Sequence, residues 1–428
     1  MSRIRSAASA APGRERWGGR SVVIGLTLFI VLSLAHAVLV DGLGDRLAAS
    51  RPSLALSLGR DSPDVLSAVA EDSLRAKNDL NAARLSLAAL NRAPLNVRAL
   101  RVRATALEGL GHMAQAKALF QFAGSRGWRD NEVQAWLLKD ALGRRQYGEA
   151  FLHADALARR RQELWPTIFL LFEFASADPS GADALAARLA QQPNWRSPFL
   201  EALAHSPQND AVVAHVFQLV DRGPAALSMA ELGDLPGRLT REGRYRDAFQ
   251  ALTGFRAGRT MAEIPFDRAF TNRQGVAPFT WDRVGKTGVT LDFAPSPGRL
   301  GHNALRVAYD GFSSTDLLQQ AMALEPGDYR LTGDVYQEQG DPRQLGWAVR
   351  CIADGRTLAT TPGGPGAPNA WRSFSITFKA PATGCDGVWL VLTGATGERR
   401  SSIVAWYDKI RIVRELVVAA PIASPPKT

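Results

Sequence analysis

LRVRATALEGLGHMAQAKALFQFA, residues 100–123, decides how the first half of the chain folds. Leu100, Ala104, Leu107, Gly111, Ala116, Phe120 and Ala123 run in the order large, small, large, turn, small, aromatic, small. Spacings of three and four keep each set on one helical face, and Gly111 breaks the run into two helices. The pattern recurs. Ala82, Ala116 and Ala150 stand 34 residues apart, as do Ala70, Ala104 and Leu138, and Ala89, Ala123 and Leu157. Small residues recur where two helices must approach closely, and larger ones fill the remaining space. Self-similarity at a fixed period predicts stacked helix pairs, each burying its apolar face against the next.

A 34-residue period of this composition resembles the tetratricopeptide repeat. The matching positions are those above, with Pro94 where the family's closing proline falls. Arg145-Gln146-Tyr147-Gly148-Glu149-Ala150 and Gly243-Arg244-Tyr245-Arg246-Asp247-Ala248 look like the family's turn into its second helix. The Trp that the family carries near the start of each first helix is absent; Leu66, Leu100 and Gln134 stand there. Between 165 and 228 the helical pattern is interrupted by Pro166, Pro179, Pro193, Pro198, Pro207 and Pro224. The resemblance implies a superhelical array that binds a protein partner or extended peptide on its concave face. Arg101, Arg103, Lys117, Arg144 and Arg145 are available to decorate that face, or to stand on a solvated outer one.

From Phe279 the hydrophobic period switches to two. Candidate strands fall at 279–284, 289–294, 303–310, 316–323, 328–337, 345–352, 356–361, 371–380, 386–393 and 402–413. Leu345, Trp347, Val349 and Cys351 share one face of the sixth; Phe374, Ile376 and Phe378 share one face of the eighth. Pro326-Gly327, Gly340-Asp341-Pro342 and Asp354-Gly355 mark turns. Short strands at this spacing predict a β-sandwich of jelly-roll type.

Leu324-Glu325-Pro326-Gly327-Asp328-Tyr329-Arg330-Leu331 and the closing Ala405-Trp406-Tyr407-Asp408-Lys409-Ile410-Arg411-Ile412 resemble carbohydrate-binding modules of the galactose-binding-like jelly-roll class. That class usually carries paired acidic residues in its last strand. Here Asp408 is followed by Lys409, which argues against a structural calcium. The resemblance implies sugar binding through aromatic faces and planar polar groups. Trp281, Trp347, Trp371, Trp389 and Trp406 are the tryptophans available, and most are expected in the core. Trp389 alternates with Val388 and Leu390 and is expected to face outward. Trp389, Tyr336, Arg350, Gln319 and Arg330 are the candidate glycan-binding residues.

Residues 22–40 carry no formal charge, and Arg3, Arg5, Arg14, Arg16 and Arg20 precede them. About 19 residues of helix span roughly 28 Å, enough for a bilayer core. The Arg excess sets the N-terminal side in the cytoplasm. The expectation is a single-pass inner-membrane protein with its bulk in the periplasm. Ala35-His36-Ala37 offers the alternative of a cleaved signal peptide and a soluble exported protein. Either way Cys351 and Cys385 are expected to pair in an oxidising compartment.

The predicted architecture is multidomain α plus β: a basic segment 1–20, a transmembrane anchor or signal peptide 21–41, a linker 42–62, a helical repeat domain 63–257, a connector 258–278, a sandwich 279–415 and a tail 416–428. The net charge is +10, of which the first 20 residues supply five Arg minus one Glu. The remaining basic residues form no aromatic-interleaved stripe, so nucleic-acid binding is not expected. No G-x-S-x-G elbow, P-loop, H-E-x-x-H or calcium-binding loop occurs, and no two histidines lie three or four apart. No catalytic, cofactor or metal residue is nominated. The expected role is a non-catalytic scaffold in envelope or exopolysaccharide synthesis or export, with repeats on a protein partner and the sandwich on glycan. The alternatives are a pure protein–protein scaffold, and a glycoside hydrolase built on neighbouring acids such as Glu325 with Asp328 or Asp334 with Glu338.

Overall fold

A computed structural model describes residues 27–35, 50–206, 210–284, 287–361, 368–396 and 402–415. Within the apolar segment 21–41, residues 27–35 are helical and exposed; the rest of that segment, the basic segment 1–20 and the tail 416–428 lie outside the described residues. No helix among the described residues is long and apolar enough to cross a membrane. The chain divides into two compact units, residues 1–157 and 158–428.

The first unit carries the period in its backbone. First helices begin at Pro63, Val97 and Asn131, second helices at Asp79, Met113 and Tyr147, each 34 residues on from its predecessor. Ala70, Ala82, Ala89, Ala104, Ala116, Ala123 and Ala150 are fully buried, and Leu138 and Leu157 nearly so. Phe120 stacks on Trp136 at 4.3 Å between ring centroids. The turn inside each pair closes the same way. Lys77, Gly111 and Arg145 take positive φ, and the next amide bonds back to the carbonyl of Ser73, Leu107 or Ala141. This left-handed closure satisfies carbonyls left open at a helix end; Gly111 adopts it without a Cβ penalty. Each first helix is capped by a short polar side chain: Ser62 accepts from Val65, Asn96 from Ala99, and Asp130 from Glu132 and Val133.

Arg101 does not decorate a binding face. It is buried and bonded to Glu71 of the first pair and to Asp130 and Glu132 at the third. Arg103 donates to the Ala83 carbonyl, Lys117 to Asp140, and Arg144 to Asp140 and Glu149. These cations join neighbouring helices. Gln134, at the position of a missing Trp, is fully buried against His153 at 2.7 Å, and burial pulls the His153 pKa down.

The second unit begins with further helix pairs. Their first helices start at Trp165, Arg196 and Met229, 31 and 33 residues apart, and their second at Pro179, Asp210 and Tyr245, 31 and 35 apart, so the strict period of 34 is lost. Pro166 and Pro179 sit in first turns, where the missing N–H costs nothing, so they open helices that the sequence reading had them interrupt. Arg196 and Glu231 form a buried pair at 2.9 Å. Gly243 takes the positive-φ turn position of the last pair.

The strands follow. One antiparallel sheet has the order β1-β4-β9-β6-β7 and the other β2-β3-β10-β5-β8. Their ranges are β1 Asp282–Arg283, β2 Val289–Pro295, β3 Asn303–Tyr309, β4 Thr315–Met322, β5 Gly327–Gln339, β6 Leu345–Cys351, β7 Thr357–Thr360, β8 Trp371–Ala380, β9 Val388–Gly394 and β10 Ile403–Arg414. Leu305, Val307, Tyr309, Leu331, Trp347, Leu390, Leu392, Tyr407 and Ile410 fill the space between the sheets. Trp347 is core, as expected. The Cys351–Cys385 disulfide is present, with its Cα atoms 5.5 Å apart.

The helical and sheet parts of this unit are joined closely. Arg246 reaches Asp386 and the Leu324 carbonyl, and its backbone N–H donates to Asp386 at 2.9 Å. Phe270, from the connector 258–278, is fully buried in the sandwich core. The buried Gln320 amide bonds both the N–H and the carbonyl of Phe266, at 2.7 and 3.0 Å.

Candidate functional site

The outward face of the β2-β3-β10-β5-β8 sheet carries a row of large side chains in register. Directly opposed residues on antiparallel strands share a face. Asp292 opposes Arg306, Arg306 opposes Trp406, Trp406 opposes Tyr336, and Tyr336 opposes Trp371. Three aromatic rings thus lie side by side across β10, β5 and β8, all half-buried. The Tyr336 and Trp371 centroids are 5.6 Å apart.

Polar partners hold the edges of the row. Trp406 Nε1 donates to Glu338 at 2.8 Å, and Trp371 Nε1 to the Pro297 carbonyl at 2.8 Å. Tyr336 Oη donates to Asn369 at 3.4 Å. Arg306 lies over Trp406 at 5.9 Å, and Arg299 over Trp371 at 4.0 Å. The indole N–H groups are therefore taken up within the protein and the ring orientations fixed.

The next row holds Asp408 of β10, Asp334 of β5 and Ser373 of β8. Arg299 bonds both carboxylates at 2.8 Å. Ser373 adds a bond to Asp334 at 2.7 Å, and the Lys409 N–H one to Asp408 at 2.7 Å. Burial pushes the Asp334 carboxyl up, but the hydrogen bonds from Ser373 and Arg299 outweigh it and hold the pKa below its ordinary value. A carboxyl so held stays ionised and is a poor proton donor, whereas glycoside hydrolysis needs one acid with a raised pKa. Among the other acids weighed for that chemistry, Glu338 is bonded to Trp406 and Glu325 lies 3.8 Å from Arg246.

Beyond these carboxylates the face opens into a groove of about 610 Å³. Arg330, Thr332, Asp334, Ser373, Ser375, Lys409 and Arg411 line it. Among the described residues no cluster of His, Cys, Asp and Glu is arranged to hold a metal ion.

The five candidate glycan residues divide between two faces. Tyr336 and Arg330 lie on the face just described. Trp389 is half-buried on the outward face of the other sheet, opposite Arg350, with Gln319 one row away opposite Val391. Arg350 there bonds Asp316 at 2.9 and 3.0 Å, and Gln319 bonds Asp282 at 3.1 Å. Trp371 and Trp406, expected in the core, stand outside it. Their parity is readable: Trp371 alternates with the Phe374, Ile376, Phe378 set, and Trp406 sits between inward Ala405 and Tyr407. Arg299 has no such signal, because it lies in a loop after β2 and reaches the row only through the fold.

No family model matches the chain, and no curated protein does. The solved structures to which the C-terminal strands are similar include carbohydrate-binding modules. A family 4 module is 16% identical over 35% of this chain and 97% of that one, with a TM-score of 0.27. A family 61 module in complex with β-1,4-galactotriose is 18% identical over 32% and 88%, with a TM-score of 0.23. A module of Cellvibrio mixtus lichenase 5A in complex with cellotriose is 14% identical over 32% and 93%, with a TM-score of 0.21. Each is a likeness; none identifies a ligand for this chain.

Proposed function

We propose that the chain is a non-catalytic glycan-binding protein, with the saccharide held against Trp406, Tyr336 and Trp371. The observation that carries the reading is the row itself: three half-buried aromatic side chains in register on an outward sheet surface, their N–H and O–H groups already bonded. The apolar faces of pyranose rings stack on such planes, while flanking Glu338, Asn369 and Arg306 offer partners to ring hydroxyls.

The helical pairs are proposed to hold a protein partner, as stacked helix arrays do. The disulfide supports an oxidising compartment. The Arg-flanked apolar segment 21–41 supports anchorage at the inner membrane with the bulk outside the cytoplasm. Together these favour a scaffold in envelope or exopolysaccharide synthesis or export.

The test is a glycan array with the full chain, followed by titration of the best ligand into Trp406→Ala and Trp371→Ala. Each substitution is expected to weaken binding by about 2 kcal/mol, roughly 30-fold, as for a central aromatic anchor. A blank array, or wild-type affinity in the double variant, overturns the saccharide reading and leaves a protein–protein scaffold.

A further inference from the structure

We infer that the glycan is acidic, and that Arg411 and Lys409 hold its anionic groups in the groove below the aromatic row. The inference rests on the saccharide reading of that row. The charged residues lining the groove are Arg330, Lys409 and Arg411 against Asp334. The anions of this face are already engaged. Asp334 and Asp408 share Arg299, with Lys409 Nζ 3.6 Å from Asp334. Glu415 accepts from Arg330 Nε at 2.6 Å. Arg411 has no carboxylate partner among the described residues, and its exposed guanidinium faces the groove.

A bulge creates this arrangement. The β10–β5 register shifts between Asp408 and Arg411, and Lys409 takes a φ of 53°. A bulge re-aims side chains, and here it buries Asp408 while turning Lys409 out. The second acid that this strand motif usually carries is replaced by a cation that lines the groove with Arg411. A guanidinium binds a carboxylate or sulfate through paired N–H donors, and the neighbouring ammonium adds a point charge. Thr332, opposite Arg411, lies four residues along β5 from Tyr336, about 14 Å at the rise of a strand. A short oligosaccharide spans that distance, so one sugar can stack while an acidic neighbour meets the cations.

The experiment uses the full chain and isothermal titration with four hexasaccharide-length probes: oligomannuronate, a chondroitin sulfate fragment, cello-oligosaccharide and β-1,4-galacto-oligosaccharide. At 50 mM salt an acidic probe is expected to bind at least tenfold more tightly than either neutral one. The advantage should shrink at 500 mM salt. Oligomannuronate carries carboxylates alone and the chondroitin fragment carries both carboxylate and sulfate, so equal binding assigns the contact to carboxylate and binding of the chondroitin fragment alone assigns it to sulfate. Arg411→Gln and Lys409→Gln should each lose most of the acidic advantage and leave neutral-probe affinity unchanged; Trp406→Ala should weaken both kinds. Neutral probes binding as well as acidic ones, or Arg411→Gln binding the acidic probe like wild type, overturns the inference and spares the aromatic row. Acidic binding that survives Trp406→Ala and Trp371→Ala but fails in Arg411→Gln supports the cationic site and overturns the stacking reading.

Discussion

Arg299→Ala should destabilise the second unit by about 3 kcal/mol. The guanidinium is 21% exposed and bonds Asp334 and Asp408, themselves 12% and 4% exposed, while covering Trp371 at 4.0 Å. Removing one partner of a buried pair costs about 3–5 kcal/mol, because the remaining charge is left desolvated. Asp334 keeps Ser373, and Asp408 keeps the Lys409 N–H, so the lower end, about 3 kcal/mol, is expected. For a unit of this size that corresponds to a fall in Tm of about 6–12 °C. The measurement is thermal unfolding of the full chain at pH 7, followed by near-ultraviolet circular dichroism. The triple variant Arg299→Met, Asp334→Asn, Asp408→Asn should recover most of the loss, since it removes the buried charges together. The pH dependence has a definite sign. The folded pKa of Asp334 is depressed, so its contribution is complete above the ordinary value of 3.8 and is lost as pH falls through the lower folded value. The gap between wild type and Arg299→Ala should therefore be full at pH 7 and narrow below pH 3.8. A fall in Tm under about 2 °C at pH 7, or no recovery in the triple variant, refutes the account of Arg299 as the residue that neutralises this face.

Three further predictions concern other parts of the molecule. Replacing Cys351 and Cys385 by Ser opens a loop of 34 residues and should cost about 3–4 kcal/mol in denaturant unfolding; an unchanged midpoint, or one insensitive to reductant in the wild type, contradicts this. Arg101→Ala should cost the first unit about 3 kcal/mol and raise amide exchange in helix Pro63–Arg75, because Glu71 loses a buried partner; protection equal to wild type removes the claim that Arg101 ties the pairs together. Arg145→Gly should stabilise by about 0.5–1 kcal/mol, since a residue with a Cβ there holds a φ of 56°; a loss of stability would show that the Arg145 side chain outweighs backbone strain.

The repeat period was legible because burial demands it. Positions 82, 116 and 150 must all be small, and all are Ala. The caps obey the same period without a residue signature, and of the turns only Gly111 and the stretch from Arg145 to Ala150 are marked in the sequence. Ser62, Asn96 and Asp130 are three residue types doing one job, and Lys77, Gly111 and Arg145 share a backbone shape that identity alone does not announce. The strands were legible to within a few residues because alternation is a local property. The site was half legible. Of the candidate residues, Tyr336 and Arg330 lie on the sheet that carries the proposed row, whereas Trp389, Arg350 and Gln319 lie on the other sheet, since strand order decides which outward faces coincide and order is not local. The general habit of tryptophan places Trp371 and Trp406 in the core, yet the parity of each within its own strand places it outward.

The burial of Phe270 within the sandwich, and of Phe266 against Gln320, bears on how portable that sandwich is. A fragment cut at Phe279 would leave a cavity where Phe270 sat, worth about 3–5 kcal/mol by analogy with Phe-to-Ala core truncations. It would also strand the Gln320 amide, buried and without either of its bonds. A fragment begun before Ile264 would keep both, yet lose the Arg246 clasp on Asp386. The sandwich is thus a grafted end of its own helical stem and not a bead that can be restrung elsewhere, so shuffling it between proteins would require the connector and the last helix to travel with it.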